Sequence, residues 1–280
     1  MNELKKYLLL FKKIRVDRSH GIAPHKPILL LSVLQLYHSK FLIDRRVFIT
    51  PELVALFKAN WTSLVKTNHD CRISYPFYYL KSDEFWQLVP KAGFENIDQM
   101  GSIMKSFSNL NAAVDYAVID TELFLLAIDK RSNEILQQFL IDEFFLESNT
   151  NLAYLSRCQE SLFNNIEVKI LHESPADYRQ EIEKLMHQNN EEEIYLRRSL
   201  FKREIPKIYN NTCSISGMKV DSMFSFSMID ACHIIPFSNS YFDTVTNCIA
   251  LCPNLHRAFD SGLISIGVTV FSGGYYQFQH

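Results

Sequence analysis

The apolar positions of this chain change their spacing along its length. From residue 2 to residue 147 they fall mostly in runs of helical length, and after residue 205 they break into short β-prone pieces. Residues 2–15 set Leu and Phe between lysines at helical intervals, which predicts an amphipathic helix. Pro27 opens ILLLSVLQLYHSK, a run apolar enough for a buried helix, and proline suits a first turn because its nitrogen has no helical partner there. Thr50 is the N-cap of a further predicted helix, PELVALFKANWTSLV. The aromatic stretch YPFYYLKSDEFWQLVP reads as a β-hairpin turning at Ser82-Asp83-Glu84. Residues 106–147 return to helix, with helical spacing from Thr121 to Ala127 and from Ile135 to Phe145. Asn and Ser at 148–151, and again Asn164-Asn165, mark a boundary. Two charged helices follow, one opened by Ser174-Pro175 and one, EEEIYLRRSLFKREI, whose acidic start and basic end complement the helix dipole. Beyond them SFSMIDACHII, NCIALC and LISIGVTV alternate with turn residues, and one short helix follows Pro253. The expected class is α+β: a mostly helical domain with a β-hairpin at 1–150, a helical connector at 151–204, and a compact hairpin-plus-helix domain at 205–280.

Composition narrows the setting. A chain of 280 residues has room for two domains with real cores. No small-residue cleavage site follows the N-terminal apolar patch, and no apolar run approaches the roughly 18 residues that cross a bilayer, so a cytoplasmic protein without a membrane partner is expected. The six cysteines show no framework spacing, so reduced and mostly buried thiols are expected. Cys213 begins CSIS rather than CxxC, and a structural zinc is not expected. The net charge of −2 argues against a general polyanion binder, but its distribution is uneven. Residues 1–90 carry 14 Lys and Arg against 7 Asp and Glu, whereas residues 91–200 carry 10 against 19. The basic excess is therefore confined to the N-terminal third, where a phosphate backbone could be held. A solvated basic face with no ligand would look the same.

Residues 230–260, DACHIIPFSNSYFDTVTNCIALCPNLHRAFD, hold the chemistry. Phosphodiester hydrolysis needs an in-line water, a base to deprotonate it, and positive charge on the transition state. His233 is the candidate base, because it ends a β-prone run and Ile-Ile-Pro then turns the chain away. His256 lies on the predicted helix PNLHRAFD as a candidate metal ligand, and Asn247 is placed to hold the intervening loop through backbone hydrogen bonds. Arg257 is either a phosphate contact or a member of a helix-surface salt bridge.

This segment resembles the HNH (ββα-metal) nucleases, in the branch of McrA-like restriction enzymes. The resemblance is carried by Cys213-Ser-Ile-Ser-Gly217, His233-Ile-Ile-Pro236, Asn247 and His256-Arg-Ala-Phe-Asp260-Ser-Gly262. It implies a ββα-metal domain with His233 as general base, Asn247 as the structural amide and His256 as ligand to one divalent metal, magnesium or manganese. Many members carry Asp just before the base as a second ligand, and here Cys232 stands in that place. A thiolate is a poor partner for magnesium and acceptable to softer ions. Asp230, on the same strand face as Cys232, and Asp260, one helical turn after His256, are the candidate oxygen ligands.

Nothing in that chemistry selects a target, so selection falls to the basic N-terminal domain. There Tyr75-Pro76-Phe77 follows Arg72, and Lys26 opens a helix. Cations beside an apolar wall suit a phosphate bearing a poorly hydrated sulfur; a core hairpin packed on a helix would read the same. Residues 20–89 also resemble the DNA sulfur-binding domain of phosphorothioate-dependent restriction enzymes, through Ala23-Pro24-His25-Lys26-Pro27 and Tyr75-Pro76-Phe77 with Trp86-Gln-Leu88. The resemblance implies Tyr75 and Pro76 at the sulfur, His25 and Lys26 near the phosphate, and a further basic residue from a later loop, for which Lys105 is the candidate. Gly21-Ile22 stands where that family often has Gly-Arg.

The function expected is a modification-dependent restriction endonuclease that binds phosphorothioated duplex DNA and cuts it by a one-metal HNH mechanism. Two copies acting together, a homodimer, would supply both strand cuts. The alternatives are an HNH nuclease reading methylated or unmodified DNA, and a non-catalytic DNA-binding protein whose HNH fold has decayed at Cys232.

Overall fold

A computed structural model describes residues 3–15, 23–145, 173–219, 228–237 and 243–267, together with Asn165, Val168 and His172. The chain divides into two compact units, Met1–Phe163 and Asn164–His280. The first runs α1 (Glu3–Lys12), α2 (His25–His38), β1 (Arg46–Val47), α3 (Pro51–Leu64), α4 (Ser74–Tyr79), β2 (Trp86–Pro90), α5 (Phe107–Ala113), β3 (Val114–Ile119), α6 (Thr121–Ile128) and α7 (Lys130–Phe144).

Helix α2 is the axis of this unit. Lys26 through Leu34, Leu36 and Tyr37 are all buried, and a helix apolar on every side belongs inside a core. Helices α3, α4, α6 and α7 surround it. Buried amides fix the arrangement: Asn60 Nδ2 donates to Ser32 Oγ at 2.9 Å and to Gln35 Oε1 at 2.8 Å, and Asn133 Nδ2 donates to the carbonyls of Leu34 and Ala127 at 2.8 and 2.6 Å. Helix starts follow side-chain chemistry. Thr50 Oγ1 accepts from the Leu53 N–H at 3.2 Å, as its N-cap role requires, and Asp120 and Asp129 cap α6 and α7 in the same way.

The predicted hairpin does not form. Its first half is helix α4, with Pro76 in the first turn where a missing N–H costs nothing. Burial of Phe77 and Tyr78 outweighs their β preference, and the Tyr78 hydroxyl donates to the Ile97 carbonyl at 2.7 Å. Only Trp86–Pro90 is a strand, and it pairs antiparallel with β3 rather than with its sequence neighbour. The result is a three-stranded sheet of order β1-β3-β2. Strand β3 lies within the stretch 106–147 read as helix; its inward residues Val114, Ala117 and Ile119 do not alternate strictly, so period two is hidden.

The second unit contains α8 (Pro175–His187), α9 (Glu191–Ile208), β4 (Asp230–His233), β5 (Cys248–Leu251) and α10 (Pro253–Asp260). The two charged helices belong to this same compact unit, and α9 packs against both strands. Strands β4 and β5 are antiparallel, from Asp230 opposite Leu251 to His233 opposite Cys248. Their core joins Cys213, Cys232, Cys252, Ile249 and Leu251, with Leu255 and Phe259 of α10 against it. Gly262, at a φ of +70°, supplies the left-handed residue that ends α10. The described cysteines are free thiols, buried except for half-buried Cys71. No described helix is long and apolar enough to cross a membrane. Gly21-Ile22, the boundary residues at 148–151, Cys158 and the end of LISIGVTV lie outside the described residues.

Candidate functional site

Strand β4 presents two chemistries on its two faces. Alternation sends Asp230 and Cys232 to one side and Ala231 and His233 to the other. On the second side His233 Nε2 lies 2.7 Å from Asp243 Oδ1. Asp243 is buried, with its side chain 2% exposed. Its other oxygen accepts from the Tyr178 hydroxyl of α8 at 3.1 Å, and Arg198 Nε of α9 stands 4.0 Å away. Burial, and next the charge of Asp243, push the Tyr178 hydroxyl well above its ordinary pKa, so it remains a donor. The imidazole stacks on Phe201 at 5.1 Å between centroids and 16° between planes. With a carboxylate as partner, Nε2 is the nitrogen that carries a proton, and in the neutral ring the lone pair is then on Nδ1.

Asn247, 6% exposed, holds the chain just past His233. Its Oδ1 accepts from the Ile235 N–H at 2.8 Å and its Nδ2 donates to the Ile235 carbonyl at 3.0 Å. The Ile234 N–H donates back to the Asn247 carbonyl at 3.0 Å.

On the first side, His256 sits between two carboxylates. Its Nδ1 is 3.1 Å from Asp230 Oδ2 and its Nε2 is 3.3 Å from Asp260 Oδ2. One donor atom each from Cys232, His256 and Asp260 lie within 4.8 Å of one another. Asp230, expected as an oxygen ligand, lies against the opposite ring nitrogen from Asp260. An imidazole nitrogen beside a carboxylate oxygen is a donor set that fits a divalent ion. Arg257 is exposed, with Nε 3.3 Å from the Pro253 carbonyl of its own helix.

The first unit holds a separate cavity of about 530 Å³. His25, Lys26, Tyr75, Pro76 and Lys105 line it, and Arg15, Ala23, Tyr79 and Ser82 complete the wall; Arg72 does not take part. Lys26 is only 9% exposed, and its ammonium is already held by Asp83 at 2.6 Å and Ser82 Oγ at 3.0 Å. Burial lowers the pKa of His25, whose ring Nε2 lies 2.9 Å from the Asp70 carbonyl oxygen and whose ring meets Trp61, His69 and Tyr75. It is therefore neutral at pH 7. The exposed cations at this cavity are Arg15 and Lys105.

Asp243 and Arg15 were missed from sequence. Asp243 was findable, because it is the one acidic residue between Asp230 and Asp260. Arg15 lies three residues past the end of α1, far in sequence from the aromatic segment, and nothing local marks it.

Residues 213–267 match the HNH_2 family model, an HNH endonuclease family, so the C-terminal part of the chain carries an HNH endonuclease domain. No curated protein matches the chain. Among solved structures, the sulfur binding domain of SprMcrA complexed with phosphorothioated DNA aligns at 14% identity and a TM-score of 0.43, covering 57% of this chain and 97% of that one. The corresponding domain of ScoMcrA, also with phosphorothioated DNA, gives 18% identity and 0.41, covering 55% and 98%. A longer ScoMcrA structure that adds an SRA domain gives 18% and 0.38, covering 56% and 48%.

Proposed function

We propose that this chain is a modification-dependent restriction endonuclease whose N-terminal unit reads phosphorothioated duplex DNA and whose HNH domain hydrolyses the phosphodiester backbone. The observation that carries the nuclease half is strand β4, which sets an Asp-paired imidazole on one face and a His256–Asp260 donor pair on the other. His233 takes the proton of the attacking water at Nδ1, while Asp243 offsets the charge that develops on the ring. Asn247 keeps the strand exit, and with it the base, in place through its two bonds to Ile235. His256 and Asp260 would hold the divalent ion, with Asp230 orienting His256. Such an ion supplies Lewis-acid stabilisation of the phosphoryl and leaving oxygens.

The recognition half rests on the cavity. Tyr75, Pro76 and Tyr79 give it an apolar wall beside Arg15 and Lys105. That pairing suits a phosphate carrying sulfur, whose weak hydration an apolar wall rewards and whose charge a cation balances. Gel shifts with matched duplexes, with and without one phosphorothioate, test it in metal-free buffer at stated salt. The modified duplex should bind more tightly, and Arg15→Ala and Lys105→Ala should each reduce the salt slope by roughly 0.9. Equal affinity for the two duplexes refutes the recognition half. Absence of cutting with any divalent ion refutes the nuclease half.

A further inference from the structure

We infer that Cys232 is a thiolate ligand of the metal site, and that it biases the site toward thiophilic divalent ions such as zinc or cobalt and away from magnesium. The inference rests on the metal reading above and adds a donor and a selectivity to it. Cys232 is fully buried, with its sulfur turned to the face of β4 that meets α10. His256 and Asp260 are four residues apart on that helix, so both reach the same spot. The three donor atoms lie within 4.8 Å of one another, and they come from two elements whose relative position is fixed by a shared core.

The donor set decides the ion. One sulfur, one nitrogen and one oxygen leave a fourth tetrahedral position for water or phosphate, the pattern of an open zinc-type site. Magnesium prefers octahedral oxygen ligands and keeps its waters, so a sulfur at this distance works against it. Charge also balances: a thiolate and a carboxylate carry two negative charges, matching one divalent cation. On binding, a metal–sulfur bond replaces the Sγ–H bond and the proton passes to solvent, with no oxidant or reductant involved. If Cys232 were only a small apolar filler, its replacement by serine would leave metal binding untouched.

Cobalt(II) titration of the full chain, stripped of metal by chelation, tests this by absorption. Wild type and Cys213→Ser should develop the near-ultraviolet sulfur-to-cobalt charge-transfer band, and Cys232→Ser should lack it. Zinc affinity of Cys232→Ser should fall by more than the about 100-fold that is the most an outer-shell partner is worth. Cys232→Asp should keep metal, show no band and shift preference toward magnesium, which decides the matter even if the serine variant folds poorly. Cobalt bound by wild type without the band overturns the inference and leaves the nuclease reading standing. So does a band that survives Cys232→Ser. A wild-type chain that binds no divalent ion refutes both.

Discussion

Replacing Asp243 by asparagine should cripple cleavage without loosening the fold. The two side chains have nearly the same shape, and the Asp243 side chain itself is closed to solvent. What changes is the partner of His233 Nε2, now 2.7 Å from a carboxylate oxygen. A hydrogen bond to a charged group contributes about 1.5–3 kcal/mol. If that support is needed only as the ring takes up a proton, its loss at about 1.36 kcal/mol per decade slows the step by roughly 10- to 160-fold. A second effect adds to it. The asparagine amide can turn its N–H₂ toward Nε2, which moves the ring proton to Nδ1 and removes the lone pair that accepts the proton of water. In the serine-protease triad the same carboxamide replacement lowers turnover by about 10⁴, so the loss expected here lies between these bounds. Single-turnover cleavage of a duplex at saturating metal measures it. Gel shifts and thermal melts serve as controls, and both should match wild type. Wild-type cleavage by Asp243→Asn would show that the pairing does nothing for the base, and the mechanism would lose its orienting group.

Asn247→Ala removes two hydrogen bonds worth together about 1–3 kcal/mol. Turnover should fall more than duplex affinity, and limited proteolysis should speed up near Ile235; an unchanged rate and digest would remove Asn247 from the machinery. Lys26→Met leaves Asp83 buried without a counter-charge, at a cost of about 3–5 kcal/mol. For a unit of this size that is a fall in Tm of roughly 6–20 °C, largely recovered in Lys26→Met/Asp83→Leu. A stable single variant with only a DNA-binding defect would contradict the structural role assigned to the pair. His25 titrates below its ordinary value of 6.5, because burial disfavours the charged ring. As pH falls below 6.5 the unfolded chain takes up a proton that the folded chain refuses, so stability drops toward acid and is level above 6.5. His25→Gln should flatten that part of the Tm–pH curve; a superimposable curve would exclude the ring as its source.

What the sequence disclosed tracks how local the cause is. Thr50 and Ser174 announce their helices because capping is settled within three residues, by bonds to Leu53 and Asp177. His233, Asn247 and His256 stand out as candidates because their spacing resembles the pattern of the HNH family. The failures share a different cause. Tyr75 to Tyr79 carry β-prone side chains, yet helix wins because Phe77 and Tyr78 find a core supplied by residues well beyond the segment. Strand β3 needs β1 and β2, from far earlier in the chain, to exist at all. Lys26 looks like a cation on offer until Asp83 arrives from 57 residues away.

The same distinction explains the site. The proposed base and amide both lie at the turn that follows β4, so spacing marks them as candidates. Asp243 acts through space, reached by Tyr178 from a helix more than sixty residues earlier, and its setting depends on α8 bringing that hydroxyl to the carboxylate. Those charged helices look from sequence like a spacer. In the folded unit they supply a donor to the carboxylate beside His233, and the ring that His233 stacks on, Phe201. Cutting the chain at residue 204 to isolate the HNH motif would therefore remove both supports while leaving His233, Asn247 and His256 in place. A fragment spanning 205–280 should cleave far more slowly than one spanning 164–280 when each is assayed on the same unmodified duplex. Equal rates would mean that the helices are a spacer after all, and that the carboxylate orients the base without them.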